Sequence, residues 1–197
     1  MRALMVRGLI VAVAAVLPLT AAAQQSTQST PSGQSRAGGL DRSDKAFVTK
    51  AARDGKAEVM LGQLAAERGG SDAVKQFGQR MVTDHGKAND ELMQLAQQKG
   101  VTVPETDSSH KKLQDRLSKL SGAQFDREYM REMTRDHDKD VKEFQRAARS
   151  AKDADVKAWA AKTLPVLQEH QQQAKQLAAS AGKEGGSASP SSTGTKR

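Results

Sequence analysis

From Ser43 to Gly182 the chain carries one periodicity: apolar residues return every three or four positions and nowhere alternate with polar ones at period two. That spacing lays one apolar face along a helix, whereas a half-buried strand needs strict alternation. The stretch is rich in Ala, Leu, Lys, Gln, Glu and Met and has few β-branched residues, so propensity agrees with pattern. The expected fold class is all-α.

Capping and breaking residues divide the stretch. Ser43-Asp44 offers a cap for a first helix bearing Phe47, Val48, Ala51, Ala52, Val59, Leu61 and Leu64, stopped by Gly69-Gly70. Ser71-Asp72 starts a second, with Val74, Phe77, Met81, Ala88, Leu92 and Leu95 on one stripe, ended by Gly100. Two long helices joined by a short turn lie antiparallel. A crossover follows, whose second half can hold a short helix through Leu113, Leu117 and Leu120. Ser121 with Gln124 reads as a capping box for a helix carrying Phe125, Tyr129, Met130, Met133, Val141 and Phe144. The last helix begins near Asp153, carries Val156, Trp159, Val166, Leu167, Ala174 and Leu177, and contains Pro165, which is expected to kink it. Two antiparallel hairpins joined by a crossover make a ferritin-like four-helix bundle over 43–182.

The ends read differently. A basic start, the run "GLIVAVAAVLPLTAAA" and small residues up to Ala23 are the pattern of a secretory signal peptide over 1–23. The apolar run is broken by Pro18, too early for the roughly 20 residues a membrane span needs, so no stable membrane insertion is expected after cleavage. No cysteine is present, which removes lipoprotein attachment, disulfides, thiolate nucleophiles and Cys-based zinc sites together. A bacterial periplasmic location is expected. Residues 24–42 and 183–197 are polar and Gly/Ser-rich and read as a disordered linker and tail. The net charge of +8 does not mark a nucleic-acid binder, because residues 43–182 hold 24 basic against 21 acidic residues with the signs interleaved.

Three of the four histidines share a register. His85 follows Met81 by four and precedes Leu92 by seven; His137 stands so between Met133 and Phe144, and His170 between Val166 and Leu177. Offsets of −4, 0 and +7 keep each imidazole within the apolar face, aimed at the interior. His110, in the crossover, lacks the pattern. On the first helix the matching seam runs Ala51, Gly55, Glu58, Gly62, Ala65, so a carboxylate sits among small residues. Counted from the turns, all four groups lie near mid-helix, with mates about 6 Å apart in height, a difference that helix stagger absorbs.

Gathering three imidazoles and a carboxylate in an apolar layer is costly unless they are paired, and a metal pairs them all. His85, His137, His170 and Glu58 are therefore candidate ligands for one transition metal ion: zinc, iron, manganese or copper. Asp84, Asp136 and Glu169 each precede a histidine, placing them on the stripe's flank as partners orienting an imidazole on a neighbouring helix, as further ligands, or as surface ion pairs. Di-iron sites of ferritin type need Glu-x-x-His, and Val82, Thr134 and Leu167 stand where those glutamates would be. A mononuclear or non-catalytic site follows, and no reaction is assigned. The alternative reading is a non-catalytic structural or interaction scaffold of the cell envelope, its polar core layer satisfied internally.

The blocks "GKAEVMLGQLA", "QRMVTDHGKANDEL", "FDREYM", "RDH" and "KTLPVLQEH", in that order between Phe47 and Leu177, resemble the bacterial domain-of-unknown-function family 4142. That resemblance implies an exported protein, often labelled an outer-membrane protein, with a ferritin-like fold and no established activity. Matching positions include Glu58, Asp84, His85, Asp126, Tyr129, Asp136, His137, Pro165, Glu169 and His170. Storage or buffering of a metal, or stress protection, is the function expected of such a bundle.

Overall fold

A computed structural model describes residues 39–184. The expected signal peptide, most of the 24–42 linker and the tail from residue 185 lie outside the described residues. Five helices follow one another: α1 (Arg42–Arg68), α2 (Asp72–Gln98), α3 (Ser108–Leu117), α4 (Gly122–Ser150) and α5 (Ala154–Glu184). α1 packs most extensively on α2 and α4 on α5, and α3 lies in the crossover between the two hairpins. The fold is the all-α four-helix bundle with one crossover that the apolar stripes imply.

The caps depart from expectation at two helix starts. α1 is capped by Asp41, whose carboxylate accepts from Ser43 N at 2.9 Å, not by Ser43-Asp44. Ser121 makes no side-chain cap bond at α4, so the capping box with Gln124 is absent. Gly122, the first helical position, has a φ of 56°, and that left-handed turn misaligns the backbone N–H a capping serine would reach. Ser71 does cap α2, accepting from Val74 N at 3.3 Å, and Asp153 starts α5 by accepting from Asp155 N and Val156 N. α5 continues through Pro165, which lacks the N–H its turn would donate.

Asp44 is buried for a different reason. Its Oδ2 accepts from Lys152 N at 2.9 Å and Asp153 N at 2.7 Å, clamping the α4–α5 turn from the start of α1. Asp126, near the start of α4, does the reciprocal job on the α1–α2 turn, accepting from Gly70 N at 2.7 Å and Ser71 N at 2.9 Å. Each hairpin thus closes the other's turn, at opposite ends of the bundle. The two clamps are 82 residues apart, as are the caps Ser71 and Asp153, the buried Val74 and Val156, and the acids Glu58 and Asp140. The hairpins are built on one plan.

Within the first hairpin the backbones touch. A Cβ on Gly62 would lie 2.8 Å from the Gly78 carbonyl oxygen, and one on Gly78 would lie 2.6 Å from the Gly62 oxygen. Only glycine at both positions lets α1 and α2 approach so closely. Gly78→Ala is therefore expected to push the helices apart and lower stability by about 1–3 kcal/mol in chemical denaturation, although alanine is the better helix former.

The core divides in two. One apolar cluster gathers Val48, Leu92, Phe144, Trp159 and Leu167, and the other Leu61, Phe77, Met81, Phe125, Tyr129 and Met133. Burying such side chains stabilises by about 1.5–3 kcal/mol each. Along every long helix the changeover between clusters falls at a buried polar residue: Glu58 on α1, His85 on α2, His137 with Asp140 on α4, and His170 on α5.

Candidate metal centre

Glu58, His85, His137 and His170 form one layer between the two apolar clusters. His137 and His170 are fully buried, and Glu58 and His85 nearly so. Ring centroids lie 5.6 Å apart for His85 and His137, 5.2 Å for His85 and His170, and 5.5 Å for His137 and His170. One nitrogen from each ring falls within 4.8 Å of the other two.

Each imidazole is held by one nitrogen only. His85 Nδ1 is 2.9 Å from Glu58 Oε2, His137 Nδ1 is 3.0 Å from the Met133 carbonyl one turn back, and His170 Nε2 is 2.8 Å from Asp84 Oδ2. A carbonyl or carboxylate oxygen accepts, so the engaged nitrogen carries the proton and its opposite number carries a lone pair. Those opposite atoms, His85 Nε2, His137 Nε2 and His170 Nδ1, are buried and without hydrogen-bond partners, as is Glu58 Oε1. Buried polar atoms are normally satisfied, and four unsatisfied ones in one layer mark a place built for something that accepts lone pairs. The donor set fits a transition metal, and the protonated side of each ring is anchored as metal-binding histidines usually are.

Burial favours the neutral form of two of the imidazoles. Burial pulls the His170 pKa down to about 4, aided by His85 and opposed by the bond to Asp84. Burial likewise lowers that of His137, against the attraction of Glu58. Burial alone would raise Glu58, but the surrounding histidines outweigh it and hold its pKa near 2. Asp140 is pushed well above the ordinary carboxylate value, first by burial and then by Glu58. His137 and His170 bind protons less readily folded than unfolded, so acidification from the free-histidine value of 6.5 toward about 4 removes stability. Asp140 titrates in the opposite sense and offsets part of that loss. Denaturant titrations with chelator present are expected to show this decline between pH 6.5 and 5, and a shallower one in His170→Leu.

The flanking acids separate into two kinds. Asp84 reaches across from α2 to His170 on α5 and is itself held by Arg80 Nε at 3.2 Å. Asp136 pairs instead with Lys139 at 3.0 Å, and Glu169 with Arg80, so neither hydrogen-bonds to a histidine of the layer. Of the three, only Asp84 holds the position expected of an orienting partner. Asp140 was not foreseen. Its carboxylate, with Glu58 and His137, forms a second group of ligand-type atoms within 4.8 Å, and it follows His137 by three residues on the same face. A search one turn after each histidine, as well as one turn before, finds it. His110 stands apart, 3.6 Å from Asp54 and from Asp107.

Similarity to known proteins agrees with this architecture. The structure resembles a DUF305 fragment from Deinococcus radiodurans (TM-score 0.64, 14% identity, 73% of this chain and 99% of that one). It also resembles CopM in its Cu(II)-bound form (TM-score 0.60, 17% identity, 70% and 96%). At these identities the likeness establishes the fold. No curated protein matches the sequence. Among the described residues, no helix is long and apolar enough to cross a membrane. The family model for the domain of unknown function DUF4142 matches residues 29–177, and the chain belongs to that family.

Proposed function

We propose that the protein binds one transition metal ion in the periplasm, through His85 Nε2, His137 Nε2 and His170 Nδ1, and serves in metal storage, buffering or stress protection. The observation that carries this reading is the set of three buried imidazoles from three helices, each with one unpartnered nitrogen and each offering a nitrogen within 4.8 Å of the other two. Glu58, Met133 and Asp84 orient the rings from behind. Three imidazoles backed by carboxylates suit zinc, copper, iron or manganese, and among these divalent ions such a site holds copper tightest. The likeness to CopM, which carries Cu(II), is in keeping with that order. The basic start and apolar run of residues 1–23, read as a secretory leader, support the periplasmic part of this reading.

The test is metal analysis and thermal unfolding of tag-free protein. One ion per chain is expected, together with a melting temperature that falls on chelation; at a hundredfold excess over Kd the bound ion stabilises by about 2.7 kcal/mol. Glu58→Gln keeps the shape of the layer but weakens the hold on His85, and is expected to reduce affinity about 10–100-fold in competition titrations.

A scaffold without metal is the second reading, favoured by the Glu58–His85 pair, which already satisfies part of the layer at 2.9 Å. A polar layer can fix which helices pack together without any ligand. In that case chelators leave the melting temperature unchanged and purified protein holds no stoichiometric metal.

A further inference from the structure

The metal layer is not sealed on every side. Between α2 and α5 a cleft of about 140 Å³ runs inward from solvent, and His85 and His170 both line it. Its wall includes Ala88, with no side chain beyond a methyl, and four charged residues: Asp84, Lys87, Glu91 and Lys162. Lys162 is paired with Glu91 at 2.8 Å. Asp84, also in the wall, is engaged by His170 and Arg80. Lys87 is exposed and, among the described residues, has no carboxylate within the 4.0 Å of an ion pair. The two lysines and two carboxylates of the lining balance formally, and Lys87 is the charge among them left without a partner.

Three protein ligands leave a metal at least one coordination position, the arrangement of sites that bind exogenous ligands, while closed structural sites use four. We propose that the α2–α5 cleft admits a small inorganic anion to a metal position left open by His85, His137 and His170. This rests on the metal reading above and adds to it a ligand class and a route. The step is a ligand exchange: the anion's lone pair forms a bond to the metal, water leaves through the cleft, and no electron changes hands. Lys87 favours negative ligands by its field, and the small Ala88 leaves the passage open.

Azide added to the Cu(II)-loaded full-length protein tests this, after copper per chain has been measured. Wild type is expected to develop an azide-to-copper charge-transfer band that saturates. Ala88→Phe, which fills the cleft, is expected to bind azide at least about 10-fold more weakly at unchanged copper content, since phenylalanine's bulk occupies the path. Lys87→Glu, on the surface and neutral for folding, reverses one charge at the mouth and is expected to weaken azide about 3–10-fold. Copper bound one per chain with no azide band overturns the proposal and leaves the metal reading standing. Equal azide affinity in wild type and both variants also overturns it. Absence of copper from wild type removes both together.

Discussion

His137→Leu is expected to fold normally and to lose at least about 100-fold in metal affinity. Leucine fills about the volume of the imidazole, and His137 sits wholly inside the bundle between Met133 and Val141, so the substituted core stays packed. Glu58 keeps its 2.9 Å partner His85, so no buried carboxylate is stranded. What disappears is one of three nitrogens, and every factor of ten in affinity corresponds to about 1.4 kcal/mol. Two remaining imidazoles cannot hold the ion as tightly. Competition against a chromophoric chelator gives the affinity and denaturation the stability, so loss of binding is read separately from loss of fold. Affinity equal to wild type would remove His137 from the site.

Asp126→Ala is expected to be among the most destabilising single changes in the bundle. The carboxylate is buried and accepts two backbone N–H groups of the α1–α2 turn, at 2.7 and 2.9 Å. Hydrogen bonds to a charged group contribute about 1.5–3 kcal/mol each, and their loss leaves two turn donors unsatisfied. A loss of about 3–5 kcal/mol follows, which for a domain of this size lowers the melting temperature by about 10 °C. Asp44→Ala removes the equivalent clamp at the other end. The two sites are far apart and share no partner, so the double variant is expected to show additive losses. A drop under about 1 kcal/mol for Asp126→Ala would show that the clamp does not hold the turn.

The bundle was legible because its signals are local. Apolar returns at helical spacing, Gly69-Gly70, Gly100 and the caps Ser71 and Asp153 all act within a few residues. Asp44 and Asp126 read only as helix-start acids, since the turns they clamp lie more than 50 positions away in sequence. The same contrast divides the site. The shared −4, 0, +7 register of the three histidines aims each ring inward whatever the neighbours do, and the rings do meet at 5.2–5.6 Å. Asp84, Asp136 and Glu169 look alike locally, one residue before a histidine. Which of them reaches a histidine on a neighbouring helix depends on how each helix is rotated in its packing: Asp84 on α2 meets His170 on α5, whereas Glu169 on α5 crosses to Arg80. Asp140 escaped because di-iron reasoning looks for carboxylates three residues before a histidine, and this one stands three after.

Diffraction from crystals grown with Zn(II), collected on both sides of the zinc absorption edge, locates the ion directly. One anomalous peak per chain is expected in the layer between the two apolar clusters, at about 2.0–2.1 Å from His85 Nε2, His137 Nε2 and His170 Nδ1. A peak elsewhere, or three imidazoles unchanged beside an empty layer at saturating zinc, contradicts a metal centre at this place in the bundle.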